Sequence, residues 1–197
     1  MKKIKPTLFL LEDQQEPITD LAYLLKEARL SRYSCALREQ TKRKILTGSL
    51  FNGFIFHKML GCSALFQKAF EGSLYPYSGE NGLYFSIANS VYSHALLISD
   101  KATAVDIEWY RDRNAQIYTA FLNQSTESGQ GGKEAFYQNW LKKECLVKYG
   151  TADISKEMQY LFFKDYIVGT YLEKNEVVEL VEVTMNELVN YYKGGTI

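Results

Sequence analysis

The sequence predicts a mixed α/β fold, α+β in layout, and three observations carry that prediction. Segments with apolar residues at helical spacing alternate with β-rich runs in the order helix, sheet, helix, sheet. Three strand-like runs, "LYFSIAN", "HALLIS" and "ATAVDIEW", follow one another closely across residues 83–109. After them, "KEAFYQNWLKKECLVKYG" reads as the strongest helix, with Gly150 placed to cap its C-terminus. This order suggests two α/β halves, an N-terminal one over 1–100 and a C-terminal one over 101–197. No residue-level repeat relates them, and "SGQGG" is the sole low-complexity segment.

In chain order, "TLFLL" is a first or edge strand. "EPITDLAYLLKEARL" is a helix, because Leu21, Leu24, Leu25 and Ala28 recur at helical spacing. A longer helix is expected from Ser34 to about Met59, where basic residues (Arg38, Lys42, Arg43, Lys44) give way to "ILTGSLFNGFIFHKML". Gly48 and Gly53 inside it either weaken the helix or mark close packing. "FEGSLYPYSGENG" is dense in turn residues and separates helix from sheet. "NAQIYTAFL" reads as a short helix and "NQSTESGQGG" as the most flexible loop. Beyond Gly150, "YLFFKDYIVGTYL" and "EVVELVEVT" flank the turn "EKNE", and "MNELVNYY" is a short closing helix.

Composition excludes several classes of function. Lys plus Arg equals Asp plus Glu at 23 each, so no global field draws nucleic acid and any phosphate binding must be local. The three cysteines, Cys35, Cys62 and Cys145, have spacings that suit neither a disulfide framework nor a zinc site, and they fit a reducing cytoplasm. The apolar stretch near the N-terminus is too short for a signal peptide and meets Glu12 and Asp13 at once; no later segment is expected to span a membrane. With only His57 and His94, neither a catalytic triad nor a histidine-rich metal site is expected.

The chemistry centres on "AVDIEWYRDRN". In a strand, Asp106 and Glu108 point to the same face roughly 7 Å apart, where their charges repel. One resolution is a strand end running into water; the other is a hard cation such as Mg²⁺, which takes oxygen ligands and leaves positions for a substrate's phosphates. In "WLKKECLVKYG", Trp140, Glu144 and Lys148 are four apart and share one helical stripe, about 5–6 Å between neighbouring Cβ atoms. By spacing alone Glu144 and Lys148 read as an ordinary ion pair on a solvated face. The aromatic in line with them argues for partial burial, and inward charges need a counterpart.

"AVDIE", followed some thirty residues later by "FYQNWLKKECLVKYG", resembles the two signature blocks of the 4'-phosphopantetheinyl transferases, written GVDIE and F..WT.KEA..K..G. The likeness is to the larger, monomeric type that activates peptide synthetases and acyl carrier proteins, and it covers Leu83–Gly150 best. It implies two similar α/β halves related by a pseudo-twofold axis, with coenzyme A bound between them. By position, the resemblance makes Asp106, Glu108 and Glu144 the ligands of Mg²⁺ on the coenzyme A pyrophosphate. Glu144 is then also the base for the carrier serine, Lys148 the contact to the α-phosphate that protonates the leaving group, and Lys143 the lysine of the KE pair.

The chain also departs from the family. The block usually written N-[IL]-S-H-S reads "SIANS", with Ala88 and Asn89 where Ser and His are expected. Asn89 can donate a hydrogen bond but carries no charge, so the contact to the coenzyme A 3'-phosphate is expected to weaken. Its G-K-P segment is absent, with Glu80 near the expected lysine. Arg38, Lys42, Arg43 and Lys44 resemble the region that meets the 3'-phosphate, with Arg43 and Lys44 the best matches; a solvated helix face is the other reading. Trp109 is expected in a core and Cys145 as a buried small hydrophobe, while Arg111 and Arg113 suit either an acidic carrier or a solvated loop.

These readings lead to Mg²⁺-dependent transfer of 4'-phosphopantetheine from coenzyme A to a carrier-protein serine by a cytoplasmic monomer without nucleic-acid or membrane partners. Two alternatives stand beside it. One is a degenerate relative that only binds a partner; the other is a different Mg²⁺-dependent enzyme acting on phosphates.

Overall fold

The computed structural model describes residues 4–14, 16–72, 77–80, 82–114, 116–118, 132–150 and 152–194, with 77–80 as backbone only. Strand β1 (Thr7–Glu12) leads through a 3-10 turn at Thr19–Leu24 into α1 (Glu27–Cys35) and α2 (Glu39–Phe54). A π turn at Ile55–Met59 extends α2, and α3 (Ser63–Glu71) follows. Next come β2 (Tyr77–Glu80), β3 (Leu83–Asn89), β4 (Ser93–Ser99) and β5 (Ala104–Trp109). Then α4 (Lys133–Tyr149) precedes a hairpin of β6 (Lys156–Phe163) and β7 (Tyr166–Glu173), and the chain ends with β8 (Glu179–Val183) and α5 (Met185–Gly194). One sheet runs β2-β3-β4-β1-β8 and the other β5-β7-β6. Only the β1–β8 pairing, among the described residues, is parallel. The expected mixed α/β class is therefore observed.

Strand alternation sorts the core into layers. Phe9 and Leu11 of β1 face the helical layer of α2, α3 and α5, together with Phe85, Leu96 and Ile98. Leu8 and Leu10 face the other way, where with Ala88, Ala95 and Leu97 they meet Val105, Ile107, Val168 and Leu172 of the second sheet. On that sheet's far side, α4 packs through Tyr137, Leu141 and Cys145 against Ile167, Ala104 and Tyr171. The stacking is helices, sheet, sheet, helix. Strand β4 is buried throughout, which explains why "HALLIS" shows little alternation. Each fully buried leucine in these layers contributes about 1.5–3 kcal/mol.

Some elements differ from the sequence pattern. The helix read over Ser34–Met59 is broken, because Ala36 and Arg38 are extended, with ψ of 124° and 130°. From Ile45 to Phe56 every residue but Gly48 is buried, so α2 has no single apolar face there. Gly53 marks close packing: a Cβ would stand 2.6 Å from the Phe70 ring and 2.7 Å from Tyr192 Oη. "YLFFKDYIVGTYL" contains a hairpin bend, with Lys164 at φ 53° between β6 and β7. Gly150, at φ 100°, does end α4, its N–H donating to Leu146 O at 2.8 Å. Residues 116–118 of "NAQIYTAFL" are helical, while most of "NQSTESGQGG", and 73–76 and 81 of the turn-rich region, lie outside the described residues. No helix among the described residues is long and apolar enough to cross a membrane.

Candidate active site

Strand β5 is an edge of the second sheet, and the edge not paired with β7 faces β3. There Val105 N–H donates to Ser86 Oγ at 3.0 Å and Trp109 N–H to Ser90 Oγ at 3.1 Å. Two buried serines thus satisfy backbone donors that an open edge leaves unpaired. Along β5, Val105 and Ile107 enter the core between the sheets, and Trp109 packs against it. Asp106 and Glu108 alternate to the face covered by α4, with side chains 13% and 26% exposed. The pair is therefore not a hydrated strand end.

Helix α4 brings Trp140, Glu144 and Lys148 to this seam, each half-buried, as the aromatic in line with the two charges suggested. Lys148 turns to Asp106, donating to Oδ1 at 2.8 Å, to Val105 O at 2.8 Å and to Ile87 O at 3.3 Å. One ammonium thus ties α4 to β5 and β3. Glu108 accepts a hydrogen bond from the Trp140 side chain. It also lies 3.9 Å from the Arg113 guanidinium, which is steadied by Nε donating to Tyr137 Oη at 3.0 Å and by the rings of Phe136 and Tyr137. Arg113 is thus part of the seam, while Arg111 lies over the Trp109 ring. Cys145 is fully buried, and burial drives its thiol far above the ordinary range, which suits the hydrophobe expected there.

Charge is concentrated here. Burial pushes the Glu108 carboxyl above its ordinary range, and the negative charges of Asp106 and Glu144 push it further, against Arg113 and Trp140. Among the described residues, no three His, Cys, Asp or Glu side chains stand close enough to enclose a metal ion. In kind, though not in spacing, the donors suit a hard cation: Asp106 and Glu144 both act on Glu108, and carboxylate oxygens are the ligands that a divalent ion of this type takes.

Beside the seam lies a cavity of about 440 Å³ between α1, α2, β3 and β4, whose lining includes Arg29, Arg32, Lys44, Asn52, Asn89 and His94. No carboxylate among the described residues lines it. Arg29 Nε and Asn52 Oδ1 are buried there without a hydrogen-bond partner among the described residues. Burial, then the charge of Arg32, lowers the Arg29 pKa, and burial lowers that of Lys44. Lys44 is pulled the other way by Glu108 and Asp106, so it faces both the cavity and the carboxylates. Cations held out of water beside an open volume suit a multiply charged anion.

The residues singled out from sequence are thus distributed unevenly. Asp106, Glu108, Glu144 and Lys148 gather at the seam, and Lys44 and Asn89 at the adjoining cavity, with Lys44 Nζ 3.5 Å from Asn89 O. Arg43 lies outside that cavity. Its guanidinium grips the Asp13 carboxylate and donates to Glu16 O at 2.9 Å, beside a separate pocket near Tyr33 and Tyr92. Lys143 stands on the exposed face of α4. Arg29 and Arg32 were not singled out; their one sequence signal is two arginines three apart in "EARLSRYS". Compared with known proteins, the chain matches no family model and no curated protein.

Proposed function

We propose that the chain is a 4'-phosphopantetheinyl transferase, moving 4'-phosphopantetheine from coenzyme A to a serine of an acyl or peptidyl carrier protein. The observation that supports it best is the meeting of the Asp106–Glu108 pair with the Glu144–Lys148 stripe beside a cavity lined by Arg29, Arg32 and Lys44. In this reading the cavity holds the 3'-phosphate and the seam the pyrophosphate. Asp106, Glu108 and Glu144 would hold Mg²⁺, which offsets the negative charge on the pyrophosphate. Glu144 takes the proton of the carrier serine, whose Oγ forms a bond to the β-phosphorus as the bridging bond to 3',5'-ADP breaks. Lys148 stabilises the departing oxygen and supplies its proton. Trp140 and Arg113 hold Glu108 in place.

The halves 1–100 and 101–197, a pseudo-twofold axis between them, a monomeric state, a cytoplasmic setting and the lack of nucleic-acid or membrane partners belong to the same proposal. Chromatography of 3',5'-ADP tests it. With coenzyme A, Mg²⁺ and an apo carrier protein, the nucleotide is released only when the carrier is present. Release without a carrier identifies instead a hydrolytic enzyme acting on phosphates. Coenzyme A binding without release under any condition identifies the degenerate, partner-binding relative.

A further inference from the structure

His94 stands directly across the β3–β4 ladder from Asn89, and both line the cationic cavity. It is 3% exposed. From α2, a Cβ on Gly48 would be 3.3 Å from its Nδ1, and Phe51 lies beside its ring at 6.2 Å between centroids. The charges that act on it are Lys44 from α2, Arg29 from α1 and Asp13 from the loop after β1. Asp13 favours the charged imidazole and acts on it more strongly than either cation, although it is itself engaged by Arg43 and by the Thr47 hydroxyl. Burial, opposed by Asp13 and helped by Lys44 and Arg29, lowers the imidazole pKa to about 4.

We propose that His94 is a proton-linked contact of the cavity's anion: a phosphate monoester entering between Arg29, Arg32 and Lys44 draws a proton from solvent onto the imidazole. The site then gains a further cation only when it is filled. This inference rests on the coenzyme A reading for the ligand's identity, and it gives the cavity a charge that Asn89 cannot supply. The linkage has a fixed sign. Because the filled site holds the proton more tightly than the empty one, the contribution of His94 to phosphate affinity grows as pH falls through the titration of the bound form, and is absent above it.

The chain has only two histidines, His57 and His94, so histidine-labelled NMR with a His57→Gln variant for assignment follows each ring in the intact protein. The probe is adenosine 3',5'-bisphosphate. On saturation, His94 is expected to gain roughly tenfold to a thousandfold in proton affinity, the range an opposite charge at close distance produces. An identical titration with and without ligand overturns the proposal while leaving the coenzyme A reading in place. Calorimetry in two buffers of different ionisation heat gives a second measure. Wild type takes up more protons on binding than His94→Gln at the same pH, a difference from which the ligand's own ionisation cancels; equal uptake overturns the proposal. No binding of adenosine 3',5'-bisphosphate or of coenzyme A overturns both. A linked His94 in a protein that releases no 3',5'-ADP overturns the transfer reading alone.

Discussion

At the scale of single residues, the seam is arranged against stability in one place and for it in another. The Glu108 carboxyl lies above its ordinary range, so the folded protein binds that proton more tightly than the unfolded chain does. The resulting stability is present below the unfolded value and is lost as pH rises through the folded one; at pH 7 the ionised group works against folding. Glu108→Gln is expected to melt higher than wild type at pH 7 with a chelator present, the gap closing as pH falls through the acidic range. A gap independent of pH, or a lower-melting variant at pH 7, would count against the repulsion described here. Lys148 has the opposite role. Its removal leaves a carboxylate that is 13% exposed and the carbonyls of Val105 and Ile87 without their ammonium. Urea unfolding of Lys148→Met is expected to show a loss of about 1–3 kcal/mol, partly restored by adding Asp106→Asn. Strict additivity of the two changes would show that the pair is uncoupled.

At the scale of elements, the legible parts are those with a local period. The D-x-E pair could be placed on one strand face because β5 alternates, and α4 could be bounded because Gly150 ends it. Lys148 was different: spacing offers Glu144 as a neighbour, while the fold supplies Asp106, far away in sequence. Helix α1 has no buried residue and so no apolar stripe to draw attention to Arg29 and Arg32. "CALRE" consists largely of good helix formers, yet Ala36 and Arg38 are extended where the chain passes from α1 to α2, a case of tertiary structure overriding propensity. Gly53 gives a test at this scale. Alanine there improves helix propensity by about 0.8–1 kcal/mol but meets Phe70 and Tyr192 at under 3 Å. The clash is expected to win, with Gly53→Ala losing about 1–3 kcal/mol in denaturant unfolding; a stabilised variant would contradict the packing.

At the scale of the whole molecule, two sheets lie face to face between helical layers, and the candidate site sits where the β5 edge of the second sheet meets β3 of the first. The parallel return of β8 to β1 closes this arrangement across most of the chain's length. No local pattern announces a pairing of that separation, although each strand alone was readable. The seam draws on both sheets and on two helices: Lys148 of α4 reaches β3 and β5, and Lys44 of α2 faces the β5 carboxylates. Loosening any one layer is therefore expected to change the site's chemistry. The most direct test is intact-mass spectrometry of an apo carrier protein incubated with coenzyme A, Mg²⁺ and either wild type or Glu144→Gln. Wild type is expected to add one phosphopantetheine group to the carrier, and Glu144→Gln to do so slower by orders of magnitude while melting at nearly the same temperature. A carrier left unmodified by wild type, or modified equally fast by both, would contradict the account.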